Sequence, residues 1–301
     1  MSTLVQEGPA EPSVVARWVL AARPKTLTAA FAPVILGSAL AAARGGIRAD
    51  ALLSTALGAA FIQIGTNFAN DYFDAKKGAD GPDRLGPARA TASGWVSASA
   101  MRRAMILAFG LAVLAGVHLV WLRGWPIVVI GVASVAAGVG YTAGRHAIAY
   151  VGLSELFVIA FFGVIATAGT FYAHTGAWSL AAAGSGLLIG AIAAGILAVN
   201  NLRDRVGDAR VNKNTLAVRF GERFARAEYQ ALIGLAYAGV ALLALVEGRP
   251  GWLLPFLSAP LAWANLRSAR RDDGRALNAL LGRTALLELL FAGLAAIGVS
   301  L

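Results

Sequence analysis

The sequence predicts an all-α integral membrane protein, with about nine transmembrane helices arranged around a central cavity open to the cytoplasmic side. Three observations lead there. First, 58% of the 301 residues are hydrophobic and only 14% are charged, where a soluble domain carries roughly 25% charged residues. Second, uncharged stretches long enough to cross a bilayer as helices recur along the chain, without the short alternating strands of a barrel. Third, dense runs of acids, amides and bases follow two of the apolar stretches, over residues 67–84 and 200–208.

At the N-terminus, Met1 to Ser13 is polar and carries Glu7 and Glu11 without a basic residue, unlike the charged start of a cleavable signal. A disordered tail over 1–16 is expected, followed by a single transmembrane domain over 17–301. Nine spans follow in order: Leu27 to Ala43, Ala51 to Asn70, Ala104 to Leu122, Trp125 to Tyr141, Val151 to Ala173, Leu180 to Asn200, Ala227 to Val246, Trp252 to Leu266, and Thr284 to Leu301. With alternate connections on opposite sides, 22 of the 26 Lys and Arg fall on the side of the N-terminus and the two polar stretches. That excess marks the cytoplasmic face, so the C-terminus is expected outside and the cytoplasmic (inner) membrane is the expected location. The net charge of +10 is thus an orientation signal and points to membrane lipids, not to nucleic acid. There is no cysteine, which excludes disulfides and thiolate metal sites. His118, His146 and His174 lack metal spacing and read as interface residues. Asp71 and Asp204 each close an even-numbered span, 133 positions apart. This fits either a duplicated four-helix unit or coincidence.

The two polar stretches carry the chemistry. On a helix, Asn67, Asp71 and Asp74 share one face at i, i+4 and i+7. Asn200, Asp204 and Asp208 do the same at i, i+4 and i+8, with Asn201 beside them. Facing each other, these helices would gather four carboxylates near a low-dielectric region, a costly arrangement unless a cation resolves it. An oxygen-only donor set with no nearby His or Cys points to Mg²⁺. Magnesium held by a few carboxylates commonly completes its shell with phosphate oxygens. The neighbouring bases Lys76, Lys77, Arg84, Arg145, Arg203 and Lys213 suit a diphosphate, and Lys213, Arg145 and Lys76 are singled out.

These residues resemble the UbiA superfamily of intramembrane aromatic prenyltransferases. Its first motif, N-D-x-x-D, corresponds to Asn70-Asp71-Tyr-Phe-Asp74, and its second, D-x-x-x-D, to Asp204-Arg-Val-Gly-Asp208. Within the superfamily the chain is most similar to the 1,4-dihydroxy-2-naphthoate polyprenyltransferases (MenA type). That likeness rests on Arg23-Pro-Lys25-Thr26-Leu, on the run from Asn70 through Lys77-Gly to Pro82-Asp83-Arg84-Leu-Gly86-Pro87, and on Asn200-Asn-Leu-Arg-Asp204 leading to Lys213-Asn-Thr215-Leu-Ala-Val-Arg219-Phe-Gly221.

The resemblance implies ionisation of a polyprenyl diphosphate and capture of the allylic cation by an electron-rich aromatic acceptor, with loss of CO2 where the acceptor is dihydroxynaphthoate. It implies Asp71, Asp74, Asp204 and Asp208 as Mg²⁺ ligands assisted by Asn67 and Asn200, and Lys213, Arg145 and Tyr141 facing the diphosphate. Arg23 and Lys25 are expected either to bind the anionic acceptor or to anchor the span. Glu155 either orients the acceptor hydroxyl or pairs with Arg145, and Tyr72 is a cation-facing ring or an interface aromatic. Gly78 stands where many members carry a third acid of the first motif, leaving Asp80 or Asp83 for that role. Arg145 stands where the family's Y-x-x-x-K element has lysine, which keeps the charge but not proton transfer. The rival acceptor is 4-hydroxybenzoate. A cation transporter using the same carboxylates is the alternative of another class, and acids at span ends beside basic loops count against it. A CDP-alcohol phosphotransferase would need a D-G-x-x-A-R pattern that is missing.

Overall fold

A computed structural model describes residues 12–78, 84–144 and 147–301. The described residues are almost wholly helical and contain no strand. Eleven α-helical elements run in order: α1 (Val14–Ala22), α2 (Leu27–Ala42), α3 (Ala49–Lys77), α4 (Ala98–Arg123), α5 (Trp125–Gly140), α6 (Ser154–Val158), α7 (Ala166–Thr175), α8 (Leu180–Arg210), α9 (Leu216–Glu247), α10 (Ala259–Arg271) and α11 (Leu277–Ser300). Side-chain caps open several of them where the sequence supplies Ser or Thr. Ser97, Ser179 and Thr215 accept from the amides of Ala100, Ala182 and Val218, satisfying donors that the first turn leaves open.

Seven helical stretches are long and apolar enough to cross a membrane, the first running through a bend between α1 and α2. The fourth expected span is instead a shorter apolar helix, α5, of 16 residues. The eighth begins as a 3₁₀ segment, Pro250–Ser258, before α10, because Pro255 inside it cannot donate a helical hydrogen bond. The fifth is composite: α6 passes into a π segment, Ile159–Ile165, and then α7. There Gly163 meets Gly186 and Gly190 of α8, where a Cβ would lie 2.4 Å from the Gly186 carbonyl oxygen. Small residues allow such close approach of helix backbones.

Of the tail expected over 1–16, residues 1–11 lie outside the described residues, and 14–16 belong to α1, which starts at Val14. Ser13 caps it, Arg17 donates from Nε to the Pro12 carbonyl at 2.8 Å and from Nη1 to the Trp95 carbonyl at 3.2 Å, and Trp18 packs edge-on against Phe68. The main core gathers around α8, α2, α9 and α11, with Leu36, Ile189, Ile192, Tyr229, Trp252 and Phe291 all buried.

At α3's start, the end remote from the polar stretches, His174 is buried. The Arg48 backbone N–H donates to its Nδ1 at 3.1 Å, so Nε2 carries the proton and faces the Ser38 hydroxyl at 2.9 Å. His174 is therefore a structural tie. His118 pairs with the Ser54 hydroxyl at 2.8 Å; His146 lies outside the described residues.

The helices α3 and α8, with 29 and 31 residues, extend about 43 and 46 Å at 1.5 Å per residue. That exceeds the ≈30 Å hydrocarbon core of a bilayer. Their last turns, which hold the two polar stretches, therefore have length to project beyond the apolar layer.

Candidate active site

A cavity of about 1080 Å³ runs through the helices, and its lining changes character along its length. At one end it is polar, with Arg23, Lys25, Asn67, Asn70, Asp74, Arg84, Arg89, Tyr141, Thr142, Asn200, Asn201, Arg203 and Lys213. Further in, valines, isoleucines, glycines and phenylalanines take over, reaching Ser54 and Thr55 on α3 and Ile127 on α5. Because Ser54 and Asp74 are twenty positions apart on one helix, the cavity follows α3 for about 30 Å. Val117 and Val132, 59% and 65% exposed, line it from α4 and α5, so its apolar part borders the surface between those helices.

From the first polar stretch, Asn70 and Asp74 line the cavity. Asn70 Oδ1 accepts a short hydrogen bond from the Thr142 hydroxyl. Asp74 Oδ1 accepts from the Tyr150 hydroxyl at 3.1 Å, and its Oδ2 lies 3.8 Å from the Arg89 guanidinium. Asp71 differs. It is 1% exposed and does not line the cavity, and its carboxylate accepts from the backbone N–H groups of Ala90 (3.1 Å) and Thr91 (2.9 Å). The helical spacing that put Asp71 on the ligand face thus places it against the following loop, which needs an acceptor for two amides.

Asn67 is buried and committed. Its Nδ2 donates to the Ala22 carbonyl at 2.8 Å and to the Thr26 hydroxyl at 2.9 Å, and its Oδ1 accepts from Arg23 at 3.4 Å. It fixes the bend between α1 and α2 that carries Arg23 and Lys25 to the cavity mouth. Lys76 lies over the Tyr72 ring and does not line the cavity, and neither does Tyr72. Lys77, exposed like Lys76, donates to the Thr142 carbonyl at 2.7 Å and lies over the Tyr150 ring. Arg145, Asp80 and Asp83 lie outside the described residues.

The second stretch is organised by Arg203, whose side chain is 1% exposed. It donates to both Asp204 oxygens (2.8 and 2.6 Å), to Asn200 Oδ1 (2.7 Å) and to Asn278 Oδ1 (2.7 Å). Asn278 in turn donates to the Leu85 carbonyl at 3.0 Å. A Cβ at Gly86 would lie 2.7 Å from the same guanidinium, so glycine lets the loop press onto it. Asp208 pairs with Lys213 at 3.2 Å and is electrostatically coupled to Asp204 and to Asp74. Asn201 donates to Oε1 of the buried Glu155 at 2.7 Å.

The donor set fits a hard divalent cation: the amide oxygen of Asn70 and the carboxylate of Asp74 line one end of the cavity, and the buried Asp208 carboxylate, ion-paired with Lys213, lies outside its lining. It does not form a four-carboxylate cage. Among the described residues no three acids or histidines converge as a metal cluster, since Asp71 is held by the loop and Asp204 by Arg203. One or two carboxylates completed by phosphate oxygens is the Mg²⁺ pattern that fits.

The arrangement suits a long apolar chain with an anionic, metal-binding head. The model of the UbiA prenyltransferase family matches residues 30–295. This chain belongs to the UbiA prenyltransferase family. It is 38% identical over 280 residues to the 1,4-dihydroxy-2-naphthoate octaprenyltransferase of Escherichia coli (strain K12), covering 89% of each chain. It is 37% identical to the Mycobacterium tuberculosis protein of the same name, covering 92% of this chain and 94% of that one. In fold it matches a UbiA homologue from Archaeoglobus fulgidus solved with DMAPP and Mg²⁺, with a TM-score of 0.69, 16% identity, and coverage of 95% of this chain and 99% of that one. This UbiA-family chain is a multi-pass membrane protein and an aromatic prenyltransferase.

Reading the sequence missed several residues at the site of this UbiA-family protein. Thr142, Tyr150, Arg89 and Asn278 lie outside both polar stretches and reach them across 72, 76, 15 and 75 positions respectively. Phe157 and Phe161 read only as span residues. They stack at 4.5 Å between centroids and continue from Tyr141 along the cavity wall.

Proposed function

We propose that this UbiA-family protein transfers a polyprenyl group from polyprenyl diphosphate to 1,4-dihydroxy-2-naphthoate, with loss of CO2, giving demethylmenaquinol for menaquinone biosynthesis. The observation that carries the reading is a likeness to dihydroxynaphthoate octaprenyltransferases at 37–38% identity over about nine-tenths of the chain. The head-and-tail cavity supports it. The reaction is placed on the cytoplasmic side of an inner membrane, following the Lys and Arg distribution.

The diphosphate lies at the polar end, between Asn70 and Asp74 on one wall and the Asn200–Lys213 segment on the other, with its prenyl chain along the apolar cavity. Asp74, Asp208 and Asn70 would hold Mg²⁺, which would supply neutralisation of the charge on the departing pyrophosphate. Lys213 and Arg89 add positive charge there, and each is held in place by a carboxylate. The allylic C–O bond breaks with its electron pair going to pyrophosphate. The faces of Tyr141, Phe157 and Phe161 stabilise the resulting allylic cation, and the apolar wall excludes the water that would quench it.

A new C–C bond forms at the ring carbon that carries the carboxylate. The bond to the carboxylate then breaks, CO2 leaves, and the electron pair restores the aromatic ring. Lys25 is the base we assign to the acceptor's carboxylate: it lines the cavity mouth, and no carboxylate pairs with it among the described residues.

The test supplies purified protein in lipid with Mg²⁺, a prenyl diphosphate, and either carboxyl-labelled dihydroxynaphthoate or 4-hydroxybenzoate. Prenylated naphthalenediol with release of labelled CO2 is expected. Preference for 4-hydroxybenzoate, or product that retains the label, would sink the acceptor assignment.

A further inference from the structure

Apart from the reaction cavity, a smaller concavity of about 160 Å³ is lined by Trp263, Leu266, Arg267, Arg270 and Arg271. All five residues belong to α10, and none of them lines the large cavity. Their spacing of three and four places them on one helix face, apolar toward the start and cationic at the end. Bases in a last turn also complement the helix dipole, which accounts for one arginine there but not for the way these guanidinium groups are held.

Arg267 lies over the Trp263 ring, 5.2 Å from its centroid. Arg270 donates from Nε and Nη2 to Gln230 Oε1 at 3.1 and 2.8 Å, and Gln230 is oriented by its own bond from Nε2 to the Arg226 carbonyl at 3.0 Å. Arg271 has no carboxylate partner among the described residues. The adjacent acids are turned to other bases, Asp273 to Arg226 at 2.6 Å and Asp272 toward Arg283 at 3.9 Å. The result is two guanidinium groups held in place, those of Arg267 and Arg270, beside that of Arg271, with an aromatic ring and a leucine next to them.

We propose that this pocket binds the phosphodiester headgroup of an anionic membrane phospholipid, with the start of the acyl region against Trp263 and Leu266. The volume argues for a headgroup: it is well below the roughly 300–1,000 Å³ of pockets that engulf a whole ligand. The arginines match a phosphate by charge and by their forked donors. The apolar half argues for a lipid over free phosphate, because an indole and a leucine offer nothing to an inorganic anion. Trp263, 56% exposed, suits the membrane interface, where an amphipathic ring sits at headgroup level. Basic clusters at that level recruit anionic lipids.

The experiment uses the full chain in nanodiscs of phosphatidylcholine doped with either brominated phosphatidylglycerol or brominated phosphatidylcholine, reading tryptophan quenching. The phosphatidylglycerol probe is expected to quench at the lower mole fraction, and the difference is expected to vanish in Trp263→Phe. In R267Q/R270Q/R271Q the preference for the anionic lipid is expected to fall on the order of 100-fold, while prenyl transfer persists. Equal quenching by the two probes overturns the proposal, as does a preference that survives loss of the arginines or displacement of the lipid by inorganic phosphate alone. Should the triple variant fail to fold, Trp263→Phe decides: selective quenching that persists there puts the lipid elsewhere and overturns the assignment.

Discussion

Asp71 and Asp74 stand three positions apart on α3 and have different surroundings. The first accepts two loop amides, and the second faces the cavity beside Tyr150 and Arg89. Asp74→Ala is therefore expected to reduce Mg²⁺-dependent turnover about 10²–10³-fold, the scale for removing one preorganised electrostatic group, with the melting temperature preserved. Asp71→Ala leaves the amides of Ala90 and Thr91 unpaired, and is expected to cost about 1–3 kcal/mol of stability, seen as a lowered melting temperature in detergent. Equal loss of turnover in both variants with no thermal change in Asp71→Ala would contradict this division. Lys25→Gln is expected to raise the acceptor KM about tenfold through loss of a charged hydrogen bond, leaving the donor KM unchanged; a rise in both would place Lys25 with the diphosphate instead. Helical spacing located the face of α3 but could not say which carboxylate the loop claims, because that choice depends on where the backbone returns 19 and 20 residues later.

Among the elements, the fifth expected span is the one whose form departs most from its sequence reading. Apolar composition marks residues 151–173 as membrane-spanning, and the structure makes them helical from Ser154 but widens the middle into a π segment where Gly163 rests on Gly186 and Gly190. Gly163→Ala is expected to destabilise the protein by about 1–3 kcal/mol, the usual cost of overpacking, because the obstructing atoms are backbone. Gly110→Ala, where a Cβ meets nothing within 4 Å, serves as the comparison and is expected to be neutral or slightly stabilising. Thermal unfolding of the two variants in one detergent measures both, and equal melting temperatures would show that the glycine contact carries no packing cost. The bend at Arg23 belongs to this scale too. Pro24 and the positive φ of 52° at Arg23 break the helix, and Asn67 holds the break from α3. The sequence displays the proline but not Asn67, which Arg23 meets across 44 positions.

For the whole molecule, we propose that the N-terminus and the polar end of the cavity face the cytoplasm, a reading supported by the asymmetric Lys and Arg distribution. The chain has no cysteine, so single substitutions Ser13→Cys and Ser300→Cys can be labelled in intact cells without a background. A membrane-impermeant maleimide is expected to reach position 300 and not position 13; labelling of 13 but not 300 would invert the topology. The sequence by itself determined the helical membrane class, the location of the two polar stretches and the family likeness, because these depend on composition and on spacing within single helices. The tertiary structure decided which acids and bases face the cavity. Asp74, Arg203 and Lys213 owe their orientation to Tyr150, Asn278 and Asp208, and most of these partnerships join different elements. A side chain's chemistry at such a site depends on what the neighbouring helices and loops offer it, which local spacing does not encode.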